Sequence, residues 1–139
     1  MHSLNVPSPS EWMAAKTPPH KTWYQFFVDL VRVVKGSQEC GDETTYTIDS
    51  GTITVTHFGM VLVDTEAGGA ADDLITINGG IYGKIIVVRS TNSGRDVTLK
   101  DGADNLNLAG DFTLTNTNDT ITLISDGSEW FEMARSDNS

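Results

Sequence analysis

The chain of 139 residues has one cysteine, Cys40, which excludes an internal disulfide and a metal site built on several cysteines. No proline follows Pro19, and no glycine precedes Gly36. There is no run of 18 apolar residues, so no segment reads as a membrane-spanning helix. The start shows no basic-then-apolar pattern of a secretory signal. Apolar residues, glycine not counted, make up 38% of the chain, and with glycine counted in place of tyrosine the share lies at the lower end of the about 45–50% of ordinary domains. A core is affordable at this length, but part of it is expected to come from other subunits. Sequence signatures for phosphate, dinucleotide, redox or zinc chemistry (P-loop, GxGxxG, CxxC, HExxH) are all missing.

Basic residues are few as well: 9 Lys and Arg stand against 19 Asp and Glu, a net charge of −10. The imbalance is uneven. Residues 1–36 carry Lys16, Lys21, Arg32 and Lys35 against Glu11 and Asp29, a net +2, whereas residues 37–139 carry five basic and seventeen acidic residues, a net −12. So acidic a body repels phosphate and argues against a nucleic-acid partner. The acidity suits a soluble, exposed protein, and the basic leader suits contact with an acidic surface.

The absences divide the chain near residues 36–44. Residues 1–36 read as an arm followed by an amphipathic helix. Ser8-Pro9-Ser10-Glu11 is a capping box with proline at the first helical position, and Pro18-Pro19 ends the short turn that it opens. Thr22-Trp23-Tyr24-Gln25 opens a longer helix that Gly36 terminates. Trp23, Phe26, Phe27, Leu30 and Val34 fall on one face of it, and Tyr24, Val28 and Val31 form a second apolar stripe. A helix apolar on two sides is expected to be buried on two sides. The second face meets another chain, or the helix is wedged inside its own domain.

Residues 37–139 read as a β-rich body. "TYTID", "TITVTHF", "MVLVDTE", "DLITIN" and "KIIVVRS" alternate or run as β-branched strands, separated by turn clusters such as Asn78-Gly79-Gly80 and Asn92-Ser93-Gly94. From residue 97 the pattern shortens to apolar-x-apolar units: Val97-Thr98-Leu99, Leu106-Asn107-Leu108, Phe112-Thr113-Leu114, Ile121-Thr122-Leu123 and Phe131-Glu132-Met133. The apolar positions are expected to face inward and the Thr, Asn and Glu between them to face water. Such spacing marks stacked short strands, as in β-prisms, β-helices or small sandwiches. Short strands expose many edges. A trimer wound about an axis would pair those edges, and a monomeric sandwich capped by the helix is the alternative.

Little points to catalysis. His57 sits at a strand end with no Ser or Cys pattern beside it. Asp72, Asp73, Asp101, Asp104, Asp111, Asp126, Glu129 and Glu132 could be paired for glycoside cleavage. Nearly all of them adjoin Gly, Asn or Ser at turns, where carboxylates bind local backbone. Asp101-Gly102-Ala103-Asp104-Asn105 has oxygens at alternate positions but lacks the length and closing Glu of a calcium loop. The expectation is a protein that is no enzyme and has no cofactor or metal.

The stretch "DNLNLAGDFTLTNTNDTITLISDGSEWFEMARSDN" resembles a segment of tailed-bacteriophage virion proteins. There a β-repeat rich in Gly and Asn/Asp leads to Asp-Gly-Ser-x-Trp and then to a strand ending in Ser/Ala-Arg-Ser-x-Asn. The matching residues are Leu123, Asp126, Gly127, Ser128, Trp130, Glu132, Arg135, Ser136 and Asn138, about a quarter of the chain. The Pro-rich, aromatic leader is similar to leaders of the same proteins. The resemblance implies a virion protein, homotrimeric, of the capsid-decoration or short head or tail fibre type. Capsid or tail proteins would be its partners, and residues 1–36 would be the anchor. A receptor- or carbohydrate-binding fibre tip is the alternative, with Tyr82 and Phe58 as stacking candidates. Physically, Asp126 and Gly127 make a tight hairpin turn. Trp130 plugs one end of the stack and its N–H needs a partner, and Arg135 reaches Glu132 or Glu129. These residues would form a terminal lock.

Overall fold

The structure, a computed structural model, describes residues 25–28 and 44–138. The chain divides into two compact units, Met1–Glu39 and Cys40–Ser139. In the first, residues 25–28 form a helical turn. The rings of Phe26 and Phe27 lie 5.7 Å apart there, and Phe27 is 56% exposed. Trp23, Leu30 and Val34, the rest of the expected anchor, lie outside the described residues, as does the expected boundary near residue 36.

The second unit is mainly β, in a solenoid-like arrangement of about three turns. Its strands are β1 (Thr45–Thr47), β2 (Thr52–Thr54), β3 (Gly59–Asp64), β4 (Ala71–Leu74), β5 (Thr76–Asn78), β6 (Ile85–Ser90), β7 (Asp96–Leu99), β8 (Leu106–Asn107), β9 (Phe112–Leu114), β10 (Thr120–Ser125) and β11 (Trp130–Ser136). They form a six-stranded sheet in the order β1-β3-β6-β10-β11-β8, a pair β2-β5 and a three-stranded sheet β4-β7-β9. Thr52 pairs with Thr76, Ala71 with Asp96 and Gly59 with Ile86, all in parallel register at offsets of 24, 25 and 27 residues, and among the described strands only β1 with β3 pairs in parallel at a shorter one, Thr45 with Leu62. A period of 24 to 27 residues is a solenoid's. Parallel stacking between successive turns distinguishes the body from the small antiparallel sandwich that the sequence left open.

Alternation of β-branched and polar residues decides which face each strand buries. Val61, Val88 and Ile121 are register partners in the six-stranded sheet and are fully buried. Leu74, Leu99 and Phe112 form the corresponding row of the three-stranded sheet. On its other face the hydroxyls of Thr98 and Thr113 are 2.9 Å apart. Each fully buried aliphatic contributes roughly 1.5–3 kcal/mol, enough for strands of three residues to hold.

The segment "DLITIN" is two strands rather than one. Ile75 lies between β4 and β5, and the amides of Ile75 and Thr76 both donate to the carbonyl of Gly51 on the preceding turn (2.8 and 3.0 Å). The corner at Gly79 is tight: a Cβ there would lie 2.0 Å from the carbonyl oxygen of Val55, and φ is +88°. Lys84, buried, staples these corners by donating to the carbonyls of Gly79 (2.9 Å) and Val55 (3.2 Å). Burial lowers its pKa.

After β8 the chain reverses. β9 runs antiparallel to β7, and β10 antiparallel to β6. The reversal closes the last turn with the sequence that follows Asp111.

The units starting at Val97, Phe112 and Ile121 bury both apolar residues, as expected, and the unit at Leu106 buries its first and half-buries its second. The last unit does not: Phe131 is 38% and Met133 55% exposed. Trp130 takes the inward position instead, and a bulge opposite Thr122 and Leu123 breaks the alternation after it. The expectation that Phe131 and Met133 point inward is therefore corrected.

Candidate functional site

The sequence placed a lock at Asp126, Gly127, Trp130, Glu132 and Arg135, and the structure brings these residues to the end of the stack. Ser125 and Trp130 close a hairpin between β10 and β11. Asp126 Oδ1 accepts the amides of Ser128 (2.9 Å) and Glu129 (2.8 Å). Gly127 adopts φ of +100°, and its amide donates to the Ser125 hydroxyl.

Trp130 is 1% exposed, and its indole Nε1 donates to the carbonyl of Ile77 at 2.8 Å. This contact has a definite job. Ile77 lies in β5, whose far edge no third strand among the described residues continues. The side chain of Asn105 takes over that edge: Oδ1 accepts the Ile77 amide (3.0 Å) and Nδ2 donates to the Ile77 carbonyl (2.8 Å). The Trp130 amide in turn donates to the Asn105 carbonyl (2.8 Å). Two side chains thus seal an edge that would otherwise be open to pairing.

Arg135 does reach Glu132, not Glu129. Its Nε and Nη2 bond both carboxylate oxygens at 2.6 Å, a bidentate fork. Nη2 also donates to the carbonyl of Gly110 (2.9 Å), and the guanidinium stacks 4.8 Å from the ring centre of Phe112. Glu132 Oε2 accepts the amide of Ala109 (2.8 Å). The pair therefore binds β11 to the β8–β9 connection.

Asp119 belongs to the same lock and was not singled out from the sequence. It is fully buried. Its Oδ2 accepts the amide (2.8 Å) and hydroxyl (3.1 Å) of Thr115 and the amide of Asn116 (3.1 Å). Its Oδ1 accepts Asn116 Nδ2 (3.1 Å) and the amide of Asn138 (2.7 Å). Asn138 Nδ2 also donates to the carbonyl of Asn118 (2.7 Å). The asparagine of the Arg-Ser-x-Asn ending thus clips the C-terminal strand onto the β9–β10 turn.

Several of the other candidates bond within the body. His57 Nδ1 lies 2.7 Å from the hydroxyl of Tyr46. Asp72 accepts the amides of Glu66 and Asp73, Asp101 that of Leu108, and Asp104 the hydroxyl of Thr76. Asp111 accepts the amide of Asp101 and the ammonium of Lys100. No group of three or more His, Cys, Asp or Glu suited to a metal ion exists among the described residues. Tyr82, 88% exposed, borders a shallow groove with Gly83, Ile124, Ser125, Asp126 and Phe131.

Acid should weaken the lock and the neighbouring Lys100–Asp111 contact. The Arg135 fork lowers the pKa of Glu132, the Lys100 contact that of Asp111, and the Glu129 and Ser128 amides that of Asp126. Burial alone would raise that of Asp119, but the bonds from Asn138, Thr115 and Asn116 outweigh it and lower it. Carboxylates with depressed folded-state pKa values contribute stability above their unfolded values, near 4. That contribution disappears as pH falls through the folded values. Thermal melts followed by circular dichroism should show a midpoint nearly level from pH 8 to 6 and falling steeply below about pH 4. A midpoint unchanged down to pH 3 would refute the assignment.

Compared with known proteins, the chain matches no family model and no curated sequence.

Proposed function

We propose that the chain is a non-enzymatic structural protein of a tailed-bacteriophage virion, a capsid decoration protein or a short head or tail fibre. In this reading it is a homotrimer, and residues 1–36 anchor it to capsid or tail proteins of the particle. The observation that carries the reading is how the Asp-Gly-Ser-x-Trp and Arg-Ser-x-Asn residues are used. Asp126 holds a turn, Trp130 seals the β5 edge, Arg135 clamps the β8–β9 connection and Asn138 clips the tail. Each spends its polar atoms on closing a stack. Such closure suits a fibre or decoration domain, and the residues that make it are those on which the resemblance rests.

The alternative, a receptor- or carbohydrate-binding tip, draws on Tyr82. A sugar site needs converging polar groups around the stacking ring. The groove beside Tyr82 is walled mainly by Ile124 and Phe131, and Oδ1 of Asp126 already serves two amides. Its chemistry suits a protein surface better than a sugar.

The test uses particles produced with the gene deleted. Full-length protein should co-sediment with them and be visible by immunogold labelling. Protein lacking residues 1–36 should retain its β circular-dichroism signal but stay in the supernatant. Full-length protein that fails to bind particles would overturn the proposal, and a truncated form that binds would move the anchor to the β-body.

A further inference from the structure

The sequence led us to expect a wet outer face of Thr, Asn and Glu, and the six-stranded sheet departs from that. Register aligns Ile85, Ile124 and Phe131 across β6, β10 and β11. Phe58, just before β3, is also 42% exposed, and its ring lies near Lys84, the neighbour of Ile85 in the chain. The next outward row holds Met60, Val87, Thr122 and Ala134. The bulge in β11 turns Met133 outward as well. Two adjacent rows, three and four strands wide, thus carry no ionised side chain.

The geometry points to this face as the surface on which copies of the chain associate, through Phe58, Met60, Ile85, Ile124, Phe131 and Met133. The inference rests on the self-assembly part of the proposed function and assigns it a place.

Size is the first argument. A fully exposed large side chain presents about 150–250 Å². The exposed parts of Phe58, Met60, Tyr82, Ile85, Phe131 and Met133 then amount to roughly 600 Å². That is at the top of the range of about 300–600 Å² for the largest patch on ordinary monomers. It also approaches the roughly 800 Å² that each partner gives to a standard specific interface.

Charge is the second argument, and it selects the occupant. Residues 37–139 carry seventeen acidic and five basic residues. Two such bodies repel one another wherever carboxylates face each other, and these rows present none. Lys84, which lies 5.6 Å from the ring centre of Phe58, spends its ammonium on the carbonyls of Val55 and Gly79. The basic leader, with Lys16, Lys21, Arg32 and Lys35, would find no counter-charge here. A second copy of the same neutral face loses nothing electrostatically and covers the apolar rows.

Analytical ultracentrifugation of the full chain from 1 to 100 µM tests this. Wild type should sediment as a multiple of the 15.0 kDa chain. The pair Ile85→Lys and Phe131→Lys should weaken association at least 100-fold with an unchanged circular-dichroism spectrum. Ala71→Lys, on the three-stranded sheet, should leave it intact. Should the lysine pair fail to fold, a second measurement decides: benzoylphenylalanine in place of Met133, irradiated in the full chain, should give an adduct of twice the chain mass. An oligomer that survives the lysine pair would overturn this face and leave self-assembly standing. A wild type that is monomeric throughout would overturn both. A cross-link only to residues 1–36 of the same chain would show that the leader occupies the face, and would overturn the inference.

Discussion

Trp130→Ala is expected to destabilise the β-body by about 3–5 kcal/mol, the usual loss for a large buried aromatic. Volume is the first reason, since the side chain is 1% exposed in a core of short strands. The neighbourhood is ill-suited to collapse into the void. Gly80 lies against the indole, with its Cβ position 3.4 Å from Trp130 Cε2 and 2.5 Å from the Ser125 hydroxyl, so its backbone is already close. The second reason is polar. Removing Nε1 takes one bond from the Ile77 carbonyl and leaves it only Asn105 Nδ2. Trp130→Phe separates the two effects. It keeps most of the volume and loses the N–H, so roughly 1–2 kcal/mol is expected, most of it from the lost hydrogen bond. Urea unfolding followed by far-UV circular dichroism measures both. If Trp130→Ala left the midpoint in place, the indole would not plug the stack.

The terminal hairpin was legible because its signals are local. Asp126-Gly127 specifies a turn, and a lone Trp after it requires both burial and a partner for its N–H. Arg135 and Glu132, three residues apart, would face opposite sides of a regular strand, and the bulge in β11 brings them together. The solenoid period was not read, although it leaves a trace. Thr52-Ile53-Thr54 and Thr76-Ile77-Asn78 are nearly the same triplet, and they pair in register. Other turns share only the inward position of a β-branched residue, which many side chains satisfy. The partners of Trp130 were beyond reach for a different reason: Ile77 lies 53 positions away, and only the stacking of turns brings it near. The outward apolar rows had the same origin. Ile85 and Ile124 look like ordinary strand residues until antiparallel register sets them side by side. The leader's five apolar anchor residues remain an expectation of helical spacing.

Asp119 shows how a decisive residue can hide in a turn that reads as generic. Asn116-Thr117-Asn118-Asp119 is the composition of any loop, yet five donors converge on this one carboxylate. Asp119→Ala is expected to cost roughly 3–5 kcal/mol, because several donors lose their acceptor at once and each one left buried costs about 1–3 kcal/mol. Asp119→Asn should be nearly as harmful. Both oxygens accept, so an amide turned either way sets an NH₂ against an N–H, from Asn138 and Asn116 in one orientation or from Thr115 and Asn116 in the other. The damage should have an address. Hydrogen exchange ought to accelerate first at the amides of Thr115, Asn116 and Asn138, while Val88 in the central strand β6 keeps its protection until global unfolding. Acid response gives an independent readout. The pKa of Asp119 is lowered in the folded protein, so its contribution is present above about pH 4 and vanishes below. The alanine variant should be less stable than wild type at pH 7, and the gap should narrow as pH falls towards 3. A gap that stays constant across that range would mean that the charge on Asp119 does not hold the C-terminal clip.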